Sequence, residues 1–430
     1  MTFRFLHLAD LHLDTPVGGR TEAVRERVRA AVHAAFDRAI ERALDEDVHA
    51  VLIAGDAFDD PLLTQATAQR FRAALGRLAA CGVTVAWCTG NHDPGGATVR
   101  SRRGRAALLG LDDLARYGHE RIHVFRSHRA VTALVHDKEG APVASITSIG
   151  HKTEADGENL AQRLVRPTDA ALGGLPAIAM LHTQVDEASG AAEHARYAPC
   201  SARDLAAAGF DYWALGHVHV RGPVSGAPAW YAGNPQGRNA KETGARGGLL
   251  VEVDAGEAPR VTPIELCALR FEALRLSELA DVGHVEALAA HLGAALRRRT
   301  AGAGGEAELV LRVELTGASP LAAQLRRPEE RAEAERALAL ELGLLDCELR
   351  VDELVGPYDR EDFERTPSAL REAQRLLATA ASNDLQALEL ADVELSPAAP
   401  PMGDPERARY LRALLAGADE ALFTRARLSP

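Results

Sequence analysis

Cysteine is scarce in this chain of 430 residues, and the few thiols are far apart. They never form a CxxC arrangement, and their number is odd: Cys81, Cys88, Cys200, Cys267 and Cys347. Isolated thiols of this kind argue against a disulfide framework and fit a reduced, cytoplasmic compartment better. We therefore predict buried, unpaired thiols.

Long apolar runs and an excess of basic residues are also missing. No stretch approaches a membrane span, and the first residues run directly into a strand-like segment, so we expect neither a membrane segment nor a cleaved leader. The formal net charge of -12 argues against a uniformly basic surface that grips a polyanion. Any contact with nucleic acid is then local. The first candidate is a short basic run that closely follows Asn91 and His92, namely Arg100, Arg102, Arg103 and Arg105.

The remaining composition is that of a globular enzyme, and the length calls for more than one domain. Residues 1–262 alternate short apolar runs with amphipathic helical patterns, which predicts a layered α/β domain. Residues 263–356 follow the pattern strand, helix, strand, helix, strand of a small α+β domain. Residues 357–430 are polar and helical, and an apolar stripe on the last helix either packs on its own domain or docks a partner.

Polar residues follow five apolar strand-like runs in chain order. They are Asp10 with His12, Asp56, Asn91 with His92, His182, and His217 with His219. Alternation along a strand would place Asp10 and His12 on one face, and Gly55 would let the backbone approach a ligand closely. One of these histidines alone would be read as structural. All five motifs together predict one site at the edge where open α/β sheets bind ligands.

The donor atoms at these positions are carboxylate, amide and imidazole, without thiolate. Such a set suits manganese, iron or zinc and disfavours a soft-metal site, and we take manganese as the first choice.

These motifs resemble the calcineurin-like metallophosphoesterase superfamily and, within it, the DNA repair exonucleases of the SbcD type with their YhaO-like branch. The likeness rests on the five motifs, on residues 9–14 and on residues 231–238, and it covers residues 3 to about 255. Beyond Pro263 the resemblance is one of layout, with a small capping domain and a helical tail. For the first domain, the resemblance implies a sandwich of two mixed sheets flanked by helices.

The resemblance also implies roles for individual residues. One metal ion would be held by Asp10, His12 and His219, the other by Asn91, His182 and His217, and Asp56 would bridge the two ions. His92 would protonate the leaving oxygen or stabilise the charged phosphorane, a natural task for an imidazole near neutral pH. Asp59 would orient His92, with Asp93 as the second candidate. The candidate substrate contacts are Arg100, Arg102, Arg103, Asn234 and Arg238. Whether His151 faces the cleft stays open.

Three functions remain at this point. The first is a manganese-dependent DNA phosphodiesterase, an exonuclease of DNA repair that works with an SMC-like ATPase partner, as a monomer or a homodimer. The second is a phosphomonoesterase for a protein or small molecule. Protein phosphatases of the superfamily usually carry Arg and Glu where this chain has Asp60 and Asp93, which counts against it. The third is a non-catalytic binding protein, which the presence of His92 disfavours.

Overall fold

The structure, a computed structural model, describes residues 2–59, 62–95, 120–168, 174–186, 195–300, 307–357 and 406–415, with residue 188 and a few helical positions between 372 and 379. The basic run at residues 100–105 and most of the C-terminal tail lie outside the described residues. In the described part, no helix combines the length and the apolar character needed to cross a bilayer.

The first sheet has six strands in the described part of the chain, in the order β12-β11-β1-β2-β3-β4. Their bounds are β1 Phe3–Leu8, β2 Ala50–Ala54, β3 Thr84–Cys88, β4 Ile122–Phe125, β11 Gly247–Val253 and β12 Arg260–Glu265. Strands β1 to β4 are parallel, whereas β11 and β12 run antiparallel to their neighbours. Every residue of β2 and β3 is buried, as expected for strands covered on both faces.

The second sheet has the order β5-β6-β7-β8-β10-β9. Its strands are β5 Val131–His136, β6 Pro142–Ser148, β7 Ala177–His182, β8 Tyr212–Gly216, β9 Gly222–Val224 and β10 Ala229–Tyr231. Strands β6, β7, β8 and β10 are parallel, and the two outer strands are antiparallel. Buried side chains of both sheets, such as Phe5, Leu52 and Met180, form one core cluster. The predicted sandwich of two mixed sheets is confirmed.

Helices cover the outer face of each sheet. On the first sheet lie α1 Glu22–Asp45 and α2 Gln65–Ala80, whose Phe36 and Phe71 pack with Trp87. Each begins at a threonine whose side chain accepts a backbone N–H of the first turn, as helix N-caps do. On the second sheet lies α3 Ala202–Ala207, whose Leu205 packs in the cluster that contains Trp213.

The second region shows the predicted order strand, helix, strand, helix, strand, with one additional short helix. Its elements are β13 Leu269–Leu276, α4 Val285–Thr300, β14 Glu308–Ala318, α5 Ala322–Leu325, α6 Pro328–Glu341 and β15 Asp346–Val355. The strands form a sheet in the order β13-β14-β15. In the tail, helix α7 spans Glu406–Leu415, and its Leu411 is buried.

The chain divides into two compact units, Met1–Glu272 with Gly302–Val310, and Ala273–Ala301 with Leu311–Pro430. The predicted boundary after residue 262 therefore falls inside β12, which pairs with β11 from Glu252↔Arg260 to Gly247↔Glu265. The structure moves this boundary because backbone pairing carries the first unit past it. A second correction concerns the thiols: Cys81 is exposed, and the other four cysteines are buried.

Candidate metal centre

The loops that follow β1, β2 and β8 hold several non-glycine residues at positive φ. The φ angles are 52° at Asp10, 47° at His12, 51° at Asp56 and 103° at His217. Such a conformation costs about 1 kcal/mol or more per residue and persists only where the surroundings enforce it, typically at functional sites.

Strand alternation does not bring Asp10 and His12 together, contrary to the sequence expectation, because β1 ends at Leu8. Instead, the loop after β1 pairs with the loop after β2. The backbone N–H of Asp10 donates to Gly55 O at 3.1 Å, and that of His12 donates to Asp56 O at 3.0 Å. The left-handed residues then turn both side chains into the site.

Two glycines allow the closest approaches in the site. A Cβ at Gly55, which has a φ of 88°, would lie 2.2 Å from Nδ1 of His182, and one at Gly90 would lie 2.2 Å from Oδ1 of Asp56. Real Cβ atoms do not approach other atoms this closely, so both positions require glycine. The expectation for Gly55 is met, and the atom it makes room for belongs to a candidate metal ligand.

Asp10, His12 and His219 form the first candidate metal group, with ligand atoms all within 4.8 Å of one another. Nδ1 of His12 lies 2.8 Å from Oδ1 of Asp59, and Nδ1 of His219 lies 2.9 Å from Oε1 of Glu242. Because carboxylates only accept, each Nδ1 carries the proton and each Nε2 carries a lone pair. The two Nε2 atoms lie 3.2 Å apart, an arrangement that fits two ligands of one cation.

Asp56 and His182 form the second candidate group, together with Asp10. The His182 ring donates through Nδ1 to Ala54 O at 2.9 Å, and its Nε2 lies 3.2 Å from Oδ2 of Asp56 and 3.0 Å from Oδ1 of Asn91.

His217 completes this side of the site. Its ring lies 5.2 Å from that of His182, and its Nε2 donates to Ala195 O at 2.8 Å, so Nδ1 is its lone-pair atom. Its backbone N–H also donates to both carboxylate oxygens of Asp10 at 3.1 and 3.2 Å. All seven predicted ligands therefore meet at one place.

Burial dominates the electrostatics of the cluster. It raises the pKa of Asp10 to about 7, because the carboxylate is cut off from water. Burial also acts against the charged ring of His182, yet the neighbouring Asp56 carboxylate raises the pKa of that imidazole to about 9. The site thus stabilises positive charge between its carboxylates. Oxygen and imidazole donors around such a spot fit a divalent metal ion.

His92 lies at the rim of this cluster, with 48% of its side chain exposed. Its Nδ1 is 2.7 Å from Oδ1 of Asp59, whose other oxygen accepts the Thr15 hydroxyl. Burial lowers the pKa of His92, but the hydrogen bond to Asp59 and the charge of Asp56 outweigh it, so the pKa lies above its ordinary value. Asp59 therefore lies where its carboxylate can hold the His92 ring in one orientation.

Asp93, the second candidate for that position, contacts backbone instead. Its carboxylate accepts N–H groups from Gly90 at 2.6 Å, Ala57 at 2.8 Å and Asp56 at 3.2 Å. It thereby joins the loop that carries Asp56 to the loop that carries Asn91 and His92.

Among the candidate substrate contacts, Asn234 is corrected by the structure. Its side chain is 1% exposed, donates to Gln236 O at 2.8 Å and accepts from Arg246 at 2.6 Å. An amide bonded at both ends inside the protein is not available to a substrate. Arg238 does lie at the site, 3.0 Å from Glu242 and 3.1 Å from Nδ1 of His219. The candidates Arg100, Arg102 and Arg103 lie outside the described residues.

His151 does not face the cleft. It is fully buried, and its Nε2 donates to the backbone oxygen of His182 at 2.7 Å. It therefore supports the strand end that carries a candidate ligand.

Glu242 is a site residue that the sequence did not reveal. It is 8% exposed and is held by His219 and Arg238. Burial alone would raise its pKa, but these two partners hold the pKa well below its usual range. The available signal was its spacing of four residues from Arg238, which many solvent-exposed pairs share.

Comparison with known proteins places this geometry in a family. The family described as calcineurin-like phosphoesterase matches residues 3–221, which is just over half of the chain, and the YhaO middle-domain family of metallophosphoesterases matches residues 271–352. An uncharacterized metallophosphoesterase, YhaO of Bacillus subtilis (strain 168), is 35% identical over 258 residues. The match covers 59% of this chain and 58% of that relative, so the chain spans little more than half of the relative's length.

Two solved structures are similar at low identity. The protein TT1561 of Thermus thermophilus is 10% identical with a TM-score of 0.36, and the match covers 62% of this chain and 100% of that one. A dimetal phosphatase from Danio rerio is 16% identical with a TM-score of 0.33, and the match covers 60% and 98%. The site geometry and the family match over residues 3–221 agree, and the chain belongs to the calcineurin-like phosphoesterase family.

Proposed function

We propose that this metallophosphoesterase is a manganese-dependent DNA phosphodiesterase, an exonuclease that acts in DNA repair. The observation that carries the proposal is His92, held through Nδ1 by Asp59 at the exposed rim of a buried cluster of carboxylates and imidazoles. The resemblance of the motifs, the matched middle domain and the acidic Asp60 and Asp93 favour a diester of DNA over a monoester.

The chain's own residues would divide the work as follows. Two divalent cations, when bound, supply Lewis-acid activation of water and neutralise phosphate charge during an in-line displacement. The residues that would hold them are Asp10, His12 and His219 on one side, Asn91, His182 and His217 on the other, with Asp56 between. Buried Asp59 holds His92 in one orientation and stabilises its protonated form, so that Nε2 can give a proton to the leaving oxygen. Arg238 would contact the phosphate.

Manganese is the proposed native metal, with iron and zinc as the alternatives that the same donor set accepts. Metal analysis of the purified chain, followed by reconstitution with each ion in turn, separates the three. Manganese should restore the highest turnover. Higher turnover with zinc would replace manganese in the proposal.

The substrate is tested with end-labelled linear DNA and manganese. We expect progressive loss of the label from one end and faster turnover of a small phosphodiester than of the matching phosphomonoester. Efficient monoester cleavage without attack on DNA would instead make the chain a phosphomonoesterase.

We further propose that the chain works in the cytoplasm with an SMC-like ATPase, docked through the C-terminal region that contains Glu406–Leu415. Deletion of residues 405–430 should weaken co-purification with that ATPase and leave hydrolysis of a small diester intact. Undiminished co-purification would assign the apolar stripe of this region to packing on its own unit. Sedimentation of the intact chain decides between monomer and homodimer.

A further inference from the structure

A cavity of about 880 Å³ lies between β4 and β5, outside the metal cluster. Among the described residues, β4 is the edge strand of the first sheet and β5 is the edge strand of the second. Five residues connect β4 to β5. Because these two strands are the edges of their sheets, the cavity between them is a groove along one side of the sandwich. At about 3.3 Å per residue, the stretch from Glu120 to Arg126 gives the groove a length of about 20 Å.

The groove is basic although the whole chain is acidic. Its ionisable side chains are Arg121, Arg126, Arg129, His123, His136 and a single acid, Glu120. The guanidinium of Arg121 donates to the backbone oxygens of His136 and Asp137, both at 2.7 Å. Within the described part of the chain, neither Arg121 nor the exposed Arg129 forms an ion pair with a carboxylate. The whole chain has a net charge of -12, so these arginines form a local patch of positive charge that attracts anions.

One end of the groove adjoins the loop that carries His92. The backbone N–H of Thr89 donates to Phe125 O at 3.0 Å, and Thr89 directly precedes Gly90 and Asn91. At Gly95, three residues after His92, an added Cβ would lie 2.1 Å from the backbone oxygen of Arg126. The groove therefore leads away from the rim of the candidate metal centre.

We propose that this groove binds the phosphate backbone of a single nucleic-acid strand next to the phosphodiester that is cleaved. The proposal rests on the proposed function for the identity of that strand. Arginines along an extended groove fit a polyanion, whereas a peptide strand added to a sheet edge needs pockets for its own side chains. Phe125, the aromatic residue of the groove wall, is buried, so the groove offers no stacking platform for bases. Binding should then be sequence-tolerant and strongly dependent on salt.

The test compares Arg129→Glu with Arg203→Glu in the full chain. Both arginines are exposed and form no ion pair within the described residues, but Arg203 lies on α3, away from the groove. Affinity for a fluorescent oligothymidylate is measured by anisotropy without added metal, in a His92→Asn background that slows any cleavage of the strand. Arg129→Glu should weaken binding about tenfold or more and reduce the salt slope by about 0.7, the contribution of one phosphate contact on a single strand. Arg203→Glu should change the affinity less than about twofold.

A second variant adds a positive charge to the groove. It should bind more tightly, a result that misfolding cannot produce. Val131 lines the groove and is 46% exposed, so Val131→Lys should tighten oligothymidylate binding and steepen its salt slope. Equal affinities for Arg129→Glu, Val131→Lys and Arg203→Glu would overturn the proposal and leave the groove to a protein strand or another ligand.

A second readout separates this proposal from the proposed function. With His92 intact, Arg129→Glu should turn over a small phosphodiester at the unchanged rate, because that substrate does not reach the groove. If the chain hydrolyses no diester, the proposed function is wrong. The oligothymidylate comparison would still show whether the groove binds a nucleic-acid strand.

Discussion

At the residue scale, each histidine of the candidate metal centre has an oxygen acceptor on the side away from the cluster. The acceptors are Asp59 for His12, Glu242 for His219, Ala54 O for His182 and Ala195 O for His217. Each acceptor fixes which ring nitrogen donates away from the cluster, so the other ring nitrogen faces the cluster and binds an ion once it has no proton. His217 is the exception in using Nδ1 for this purpose, because its Nε2 donates to a backbone oxygen.

Glu242→Gln tests this arrangement. The amide can present its NH₂ group to Nδ1 of His219 and would then favour the opposite tautomer, and it also loses the charge that pairs with Arg238. Replacing such an outer carboxylate typically weakens metal affinity about 10- to 100-fold. Equilibrium metal titration measures the loss. Glu252→Gln, in an exposed ion pair with Arg260, should leave the affinity unchanged, and equal affinities in both variants would remove Glu242 from the metal centre.

His92→Asn separates catalysis from metal binding. The His92 ring lies near His12 and Asp56, close enough to form a metal-binding group with them, but it is exposed and is not one of the seven predicted ligands, so metal content should stay near the wild-type value. Hydrolysis should fall about 100-fold or more, the usual range for a lost general acid. Turnover is measured with a small diester and manganese. Equal rates in the two proteins would exclude His92 from the mechanism.

At the element scale, short loops after parallel strands build the site, and their tight packing leaves little room. Asp93 ties two of these loops together through three backbone N–H groups. Gly55 and Gly90 let the loops and the His182 ring lie against one another. These elements are therefore more sensitive to added volume than to changes of surface charge.

Gly55→Ala should damage both stability and metal binding. The new methyl group would meet the His182 ring while the backbone keeps a φ of 88°, so we expect a loss of about 2 to 4 kcal/mol in unfolding free energy. Gly76→Ala is the matched control, because Gly76 lies in α2 with nothing within 4 Å of the added Cβ. Helix propensity predicts a gain of up to about 1 kcal/mol there. Urea unfolding compares the two, and similar stabilities would contradict the steric argument.

The N-terminus of α3 should give a pH-dependent contribution to stability. Ser201 and Asp204 form a capping box, and hydrogen bonds from Gln162 and then from Ser201 lower the pKa of Asp204 to about 2. Because the folded pKa lies below that of the unfolded chain, the charge stabilises the fold above about pH 4, and the stabilisation is lost as the pH falls toward 2. The difference in unfolding free energy between wild type and Asp204→Asn should therefore shrink below pH 4. A difference that stays constant from pH 6 to pH 3 would contradict this assignment.

At the scale of the whole molecule, the first unit gathers its charged cluster where the carboxyl ends of strands from both sheets meet. Asp10, Asp56 and Asp93 are all buried there, each at most 3% exposed. Three carboxylates in a dry site repel one another when ionised, and bound cations would remove that repulsion. We therefore expect the stability of the first unit to depend on metal binding.

Metal removal should lower the thermal stability of the chain as well as its activity. An ion that binds only the folded state stabilises it by about 2.7 kcal/mol at a concentration 100-fold above its Kd. Scanning calorimetry before and after chelation should show a lower Tm for the stripped protein, restored by manganese but not by monovalent salt. An unchanged Tm in a protein shown to be metal-free would mean that the ions do not support the fold.

Local sequence patterns were enough to predict several strands of this protein and the strand ends that carry the candidate ligands. Apolar runs such as those that became β2 and β3 read directly as buried strands, and a glycine followed by Asp56 marked a strand end that approaches a ligand. Strands β5, β9, β10 and β12 were not predicted. Exposed residues interrupt the pattern of β5 and β12, whereas β9 and β10 have only three residues each.

The sequence by itself determined the chemical types of the candidate ligands and the strand ends that deliver them, because both follow from residue identity and local periodicity. Only the tertiary structure decided that Asp10 and His12 meet through left-handed loops, that Glu242 supports His219, and that Asn234 and His151 are buried. It also brought two sheet edges together into a basic groove. Each of these depends on contacts between segments far apart in the chain, such as the 207 positions between His12 and His219, which no local pattern encodes.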